Sequence, residues 1–364
     1  MKFRCERDLL ADALTTASRA VSSRPSLPVL GGLLLELQGG TLRVTGSDLD
    51  TTISVSVSVD QEREGVVVVT ARLITDIVRA LDAGAVMFSV EDDQASVTAG
   101  RSAFSVRTIP ATEFPNLADP SGASVSIEAQ NFATAVNQVL KAASTDLDRP
   151  ILRGVQMENE DDGLRLVATD SYRLAVRDLP GITILAADQS VLVPSNALTE
   201  VVRMIDDTDT LSMRVGERDV SFEVGTTRVT TRLIEGQFPN YRSLIPHAHP
   251  NKLTVSRAAL IEAVKRVKVV VRDSSTPIRL VMKPEGLELS VSSTDYGTAF
   301  EQIDAKFEGT ELAVAFNPDY LIQGAEASTG DEVTIETIDN LKPALLVSPD
   351  SYEYRYVLMP VRFP

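Results

Sequence analysis

Side chains that commonly carry chemistry are sparse in this chain. Its only histidines, His247 and His249, stand two apart in Pro246-His247-Ala248-His249-Pro250. Two imidazoles can contribute to a metal site, but no third histidine or nearby cysteine completes one. The segment therefore reads as a solvated linker between domains. The single cysteine, Cys5, has no partner for an internal disulfide and reads as a small core residue near the start of a strand. Three Asp-Asp pairs occur, Asp92-Asp93, Asp161-Asp162 and Asp206-Asp207. Paired carboxylates can move protons or hold magnesium. Each pair falls at a turn-like position, so solvated turns are expected. There is no Gly-Lys pair to open a phosphate loop, and no G-x-S-x-G, H-E-x-x-H or G-x-G-x-x-G. No catalytic residue, metal ligand or cofactor is expected.

The elements that would position any site repeat along the chain. Gly40-Thr41-Leu42-Arg43-Val44 recurs as Gly163-Leu164-Arg165-Leu166-Val167 and as Gly286-Leu287-Glu288-Leu289. Leu42, Leu164 and Leu287 are 122 and 123 residues apart. Phe114-Pro115-Asn116-Leu117 returns as Phe238-Pro239-Asn240-Tyr241 after 124 residues. Asp48 and Asp170 hold the same repeat position, which assigns them a structural duty. Three domains follow, 1–120, 121–248 and 249–364. Breaker signals stand at Pro115 to Pro120 and Pro246 to Pro250.

Apolar spacing at i, i+3, i+4 and i+7 predicts two helices per repeat. They cover about 7–21 and 72–81, then 131–142 and 196–205, then 257–270 and 318–325, with Ser256 as an N-cap of the fifth. Strict alternation in Ile53, Val55, Val57, Val59 and in Val86, Phe88, Val90 predicts antiparallel strands with one wet face. Glu91-Asp92-Asp93-Gln94 and Glu160-Asp161-Asp162-Gly163 read as hairpin turns. The fold class is α+β, a layer of six helices against antiparallel sheets.

The formal net charge of −16 excludes a uniformly basic nucleic-acid surface. Any DNA function requires cations gathered on one face. Residues 256–272 meet that demand, with Arg257, Lys265, Arg266, Lys268 and Arg272 against Glu262 alone. Residues 7–24 are nearly balanced. With no tryptophan and 5% aromatics, a base-stacking single-strand binder is disfavoured. No apolar run is long enough to cross a bilayer, and the charged N-terminus does not resemble a signal peptide. A soluble cytoplasmic protein is expected.

Several segments resemble bacterial DNA polymerase III beta sliding clamps. They are Arg24-Pro25-Ser26-Leu27-Pro28-Val29-Leu30, Ala168-Thr169-Asp170-Ser171-Tyr172-Arg173-Leu174-Ala175, Phe238-Pro239-Asn240-Tyr241 and Tyr356-Val357-Leu358-Met359-Pro360-Val361-Arg362. Lys342-Pro343-Ala344-Leu345-Leu346 and the chain ending look actinobacterial. The resemblance spans the chain. It implies a non-catalytic processivity factor: a head-to-tail homodimer closing a ring of six domains, helices inside and sheets outside, around duplex DNA. Contacts would be to phosphates rather than bases. Its partners would be the polymerase III alpha subunit, a clamp loader and repair polymerases, held through short linear peptides.

Family positions imply the site residues. Leu152, Thr169, Ser171, Tyr172, Arg173, Leu174, Pro239, Ser243, Leu244, Asn317, Tyr320, Val357, Met359, Pro360 and Val361 would line the peptide pocket, an apolar groove with a hydroxyl and amide rim. Arg24, Arg72, Lys141, Arg149, Arg203 and Arg266 would face DNA. Phe104 and Val106, on an exposed edge strand, would meet Val269 and Val270 of a second subunit, with Arg101 and Glu301 as rim charges. The chain departs from common clamps at four places: Ser171-Tyr172 replaces Gly-His, Ser243 replaces an arginine, Ser195-Asn196 stands where a basic residue is common, and Ala103 replaces an arginine. A specialised clamp paralogue and, from another class, a hydrolase or nucleotide-binding enzyme on a repeat scaffold are the other readings.

Overall fold

The computed structural model describes residues 1–115, 122–160, 163–186, 189–205, 210–245, 249–271, 276–293 and 296–362. One pattern of elements runs three times. The first pass is β1 (Lys2–Glu6), α1 (Arg7–Ser18), β2 (Gly32–Gln38), β3 (Thr41–Ser47), β4 (Thr51–Ser58), β5 (Asp60–Arg63), β6 (Gly65–Thr70), α2 (Ala71–Ala80), β7 (Ala85–Glu91), β8 (Gln94–Ala99) and β9 (Ser102–Ile109). The second is β10 (Ser124–Glu128), α3 (Ala129–Leu140), β11 (Gly154–Glu160), β12 (Gly163–Thr169), β13 (Arg173–Pro180), β14 (Ser190–Pro194), α4 (Ser195–Met204), β15 (Thr210–Val215), β16 (Asp219–Val224) and β17 (Thr227–Arg232). The third is β18 (Asn251–Ser256), α5 (Arg257–Lys268), β19 (Ile278–Lys283), β20 (Gly286–Ser293), β21 (Gly297–Ile303), β22 (Ala305–Glu308), β23 (Leu312–Phe316), α6 (Pro318–Ala327), β24 (Glu332–Thr337), β25 (Ala344–Ser348) and β26 (Ser351–Leu358).

Packing divides the chain into two units, 1–130 with 196–233 and 131–195 with 234–364. In the first, a 13-stranded antiparallel sheet joins β10 and β15 to β17 onto the strands of the first repeat through a β17–β4 ladder. In the second, β13 pairs β26 within a nine-stranded sheet, and β19 to β21 with β23 make a four-stranded one. The packing frontier therefore cuts through the middle repeat, because inter-repeat ladders carry continuous hydrogen bonding. The breaker segments expected between repeats lie mostly outside the described residues.

Helix α1 buries Leu10, Ala13, Leu14 and Ala17, the predicted stripe. It stops at Ser18, short of Val21, and the predicted α5 likewise ends at Lys268 rather than Val270. Gly46 of β3 lets α1 approach closely, since a Cβ there would sit 2.2 Å from the Ala17 carbonyl oxygen. In the second unit, the Ser256 hydroxyl accepts from the Ala259 amide at 3.4 Å at the head of α5, as an N-cap should. The Asn317 side chain does the same for α6, accepting from the amides of Asp319 and Tyr320 at 2.9 and 3.2 Å. Asp92-Asp93 turns the β7–β8 hairpin, Asp92 with φ 50°. The other two acidic pairs lie outside the described residues. Cys5 is buried in β1, and burial pushes its thiol up.

Candidate functional site

The residues proposed for a peptide pocket all belong to the second unit and gather around the β13–β26 ladder. The turn leading into β13 is built by its own side chains. Asp170 accepts from the backbone amides of Tyr172 and Arg173 at 2.9 and 3.0 Å, and the Thr169 hydroxyl donates to the Arg173 carbonyl at 2.7 Å. This closure holds Ser171 at φ 79°, a left-handed conformation that a non-glycine residue adopts at a cost. Beyond the turn, Leu174 lies opposite Val357, and Val357 opposite Leu345. With Val167, Val176, Leu192, Phe238 and Tyr241 they form one buried apolar cluster, against which Ile151, Leu244 and Ile245 are packed half-buried.

Arg173 ties this floor to α6. Its guanidinium donates to Asp170 at 3.0 Å and lies 4.2 Å from the Tyr320 ring centroid. It also donates to Gln323 and, at 3.4 Å, to the Tyr356 hydroxyl, which in turn donates to the Tyr320 carbonyl at 3.0 Å. Burial pulls its pKa down, but Tyr356 and Asp170 outweigh that and leave it raised. Gly324 admits the Tyr356 ring against α6; a Cβ would meet it at 2.5 Å. The chain after β26 closes the other side, with the Met359 amide donating to the Tyr172 carbonyl at 3.0 Å and the Val361 amide to the Ala315 carbonyl at 2.8 Å.

Exposure sorts the predicted residues into floor and rim. Thr169, Arg173, Leu174 and Val357 are buried, and the Thr169 hydroxyl is spent on the turn. Ser243 likewise donates inward, to the Asn240 carbonyl at 2.9 Å, and the Asn317 oxygen caps α6. The expected rim of free hydroxyl and amide groups is thus mostly engaged in local structure. Ser171, Tyr172, Pro239 and Ser243 are exposed, while Leu152, Leu244, Tyr320, Met359, Pro360 and Val361 are half-buried. The sequence reasoning missed Ile151, which packs on the cluster beside Leu152, and Leu341, exposed on the β24–β25 connection in a recess with Val361 and Arg362.

The predicted DNA-facing cations divide unevenly. Lys141 and Arg149 line a groove of about 590 Å³ with Tyr172, Arg173 and Tyr320. Arg149 pairs with Asp146 at 3.6 Å, Arg72 with Asp76 at 3.8 Å, and Arg203 with Glu200. Arg24 and Lys141 are exposed and form no ion pair among the described residues. The basic α5 needs correction. Arg266 donates through Nε to both Glu301 oxygens, at 3.1 and 2.9 Å, and that contact holds the Glu301 carboxyl below its usual range. Lys268 pairs with Asp319, and Lys265 with Glu262 and Glu326 at 3.4 and 3.7 Å. Counting along one helix overlooked carboxylates supplied by α6 and β21. Arg272 lies outside the described residues.

At the predicted seam, the Ser102–Arg107 stretch of β9 pairs, among the described residues, with β8 alone, leaving one edge unpaired. Phe104 is 39% exposed on it, but Val106 is buried in its own subunit and does not offer the exposed surface expected. Arg101 and Ala103 are exposed. In the second unit Val269 is 77% exposed at the end of α5 and Val270 half-buried. Phe300, 65% exposed on the outer strand β21 beside Glu301, was not anticipated. Glu301, expected as a rim charge, is already occupied by Arg266.

The histidine segment also needs correction. His247 lies outside the described residues, but the His249 side chain is buried, its Nδ1 3.0 Å from Glu336. Glu336 is itself buried and accepts from Lys252 and from the Tyr352 hydroxyl, each at 3.0 Å. Among the described residues, no three His, Cys, Asp or Glu side chains converge as a metal site, and no helix is long and apolar enough to cross a membrane.

Three family models match in order and leave only short gaps. They describe the N-terminal, central and C-terminal domains of the DNA polymerase III beta subunit and match residues 1–118, 126–240 and 242–362. The beta sliding clamp of Streptomyces coelicolor is 37% identical across 100% of this chain and 99% of its own. Among solved structures, the DNA polymerase sliding clamp of Bacillus subtilis superposes with a TM-score of 0.95 at 28% identity over both full chains. The sliding clamp of Bartonella birtlesii, solved bound to griselimycin, does so at 0.96 and 29% identity, again over both full chains. The relatives named above are described as sliding clamps, none of them as a specialised paralogue. Three clamp domains in sequence, each with its pair of helices and antiparallel strands, place this chain in the DNA polymerase III beta subunit family, the bacterial beta sliding clamps.

Proposed function

We propose that two copies of this clamp associate head to tail into a ring that encircles duplex DNA without reading its sequence, and that the β13–β26 groove holds short linear peptides of its partners. It catalyses nothing itself. The observation that carries this reading is the match of all three clamp domains over nearly the whole chain. The groove supports the second half: an apolar floor of Leu174, Val357 and Leu244 lies beneath a partly exposed rim of Tyr172, Pro239, Tyr320, Met359 and Val361. Apolar floors with few polar groups suit extended peptides with aliphatic anchors. The partners fitting such a groove are the polymerase III alpha subunit, the clamp loader and repair polymerases, in the cytoplasm. Two unpaired strand edges, at β9 and β21, each carry an exposed phenylalanine and support the seam, with Phe104 meeting Val269, Val270 and Phe300.

The decisive experiment loads the protein, with its clamp loader, onto nicked circular DNA and then cuts the circle. Release on cutting, with retention before it, is expected of a topological link. Equal dissociation from circle and linear form at every salt concentration would refute encirclement.

A further inference from the structure

We infer that the first unit carries a second peptide-docking groove, built on the same frame as the β13–β26 groove but selective for an extended segment that sets an acidic side chain beside an aliphatic one. On the reading of the β13–β26 groove given above, the relation between the two is structural and detailed. Ser47 and Asp48 repeat the duties of Thr169 and Asp170. Asp48 accepts from the amides of Asp50 and Thr51 at 3.0 and 2.7 Å, and the Ser47 hydroxyl lies 3.3 Å from the Thr51 carbonyl. Leu49 is held at φ 81°, matching Ser171 at 79°. The Arg232 amide donates to the Asp50 carbonyl at 2.9 Å, as Met359 does to Tyr172 at 3.0 Å. Thr52 faces Thr230 across the β4–β17 ladder where Leu174 faces Val357. Phe114 closes a second apolar cluster, with Val29, Leu30 and Val68, as Phe238 closes the first.

The frame is shared and the lining differs. An open groove of about 620 Å³ runs over this turn. Its apolar end is Leu34, Leu49, exposed Val66 and Phe114, room for one aliphatic anchor. Along its floor, Ser54 and Thr230 present hydroxyls where the other groove is aliphatic, and the Thr52 hydroxyl lies 2.9 Å from that of Ser47. Arg232 stands in the place of Met359. Both Arg232 and Arg43 are exposed, line the groove and hold no ion pair among the described residues. Glu36 and Asp219 stand across the ladders from these arginines and Asp50 also lines the groove, but none of the three forms an ion pair with either arginine among the described residues. A guanidinium without a partner beside a hydroxyl floor is a carboxylate receptor.

The test uses the full chain and two fluorescein-labelled probes, an aliphatic Gly-Leu-Leu-Leu-Gly peptide and an acidic Gly-Leu-Asp-Asp-Leu-Gly peptide, read by anisotropy. The acidic probe should lose about tenfold or more in affinity with Arg43→Ser and Arg232→Ser, and should be indifferent to Met359→Asp. No binding to the unaltered chain, loss with Met359→Asp alone, indifference to both arginine variants, or displacement by a short single-stranded oligonucleotide would each overturn it. If the aliphatic probe fails to bind while the acidic one behaves as stated, the β13–β26 reading falls and this one stands. As a gain of function, Thr52→Leu, Thr230→Val and Arg232→Met together should add a second molar equivalent of aliphatic probe. A folded triple variant that still takes one equivalent refutes the shared frame.

Discussion

Single side chains decide the chemistry of this molecule through their surroundings. Met359 follows the last residue of β26 and is tied by its backbone, not its side chain, to Tyr172. Its thioether is therefore available to a ligand at little structural expense. Met359→Asp is expected to lower the affinity of an aliphatic peptide by about tenfold or more, with the circular dichroism spectrum unchanged; undiminished binding would remove Met359 from the pocket. His249 makes the opposite case. Burial pulls its pKa down, the Glu336 carboxylate pushes it up and Lys252 pulls it down again, with a net lowering. Its Nε2 is buried with no partner among the described residues, so charging the ring would bury an unsatisfied donor. The unfolded chain titrates this histidine near pH 6.5, above the folded value. The stability it contributes is therefore complete above about pH 6.5 and is lost as pH falls through the lower folded pKa. Thermal unfolding should move down by a few degrees between pH 7 and pH 5, and His249→Gln should flatten that slope. An unchanged slope in the variant would assign the acid lability elsewhere.

At the scale of elements, helices and strand edges place charge and apolar surface. Helix α5 carries four cations within its described length, yet Asp319 and Glu326 of α6 and Glu301 of β21 neutralise most of them. Such exposed pairs add little stability, but they reduce what α5 can offer to phosphates. The unpaired edge of β9 and the outer strand β21 have the reverse character. Each leaves backbone groups and a phenylalanine open, a liability in a lone chain and a resource in a dimer. Phe104→Arg and Phe300→Arg should each shift the mass by light scattering from about twice toward the 39.3 kDa of one chain. A persistent dimer in both variants would place the seam elsewhere.

For the whole molecule, charge and topology set how DNA is held. With a net charge of −16 on each chain, the proposed two-copy ring cannot rely on broad attraction. Enclosure removes the need for strong contacts and leaves weak, salt-sensitive ones sufficient for sliding. Arg24 and Lys141, which have no carboxylate partner among the described residues, should matter more than Arg266, which has one. Joint replacement of Arg24 and Lys141 by alanine is expected to lower the salt dependence of DNA association by roughly one to two in log–log slope, while retention on closed circles persists. A larger effect from Arg266→Ala would reverse that ranking.

Much of this was legible in the residues alone. Apolar spacing located all six helices to within a few residues, because the 3.6-residue period is a local property of the chain. The recurrence of Leu42, Leu164 and Leu287 exposed the triple repeat, and the shared Asp48 and Asp170 announced the two turns they close. What depended on tertiary structure were relations between distant segments. Ladder register sets Arg173 against Leu358, and Thr52 against Thr230, across separations that no window of sequence spans. Contacts between elements likewise gave Arg266 its carboxylate on β21 and drew His249 out of the linker onto Glu336. Side-chain identity determines what chemistry is possible; which groups meet, and which remain free for a partner, is decided by the strands that bring them together.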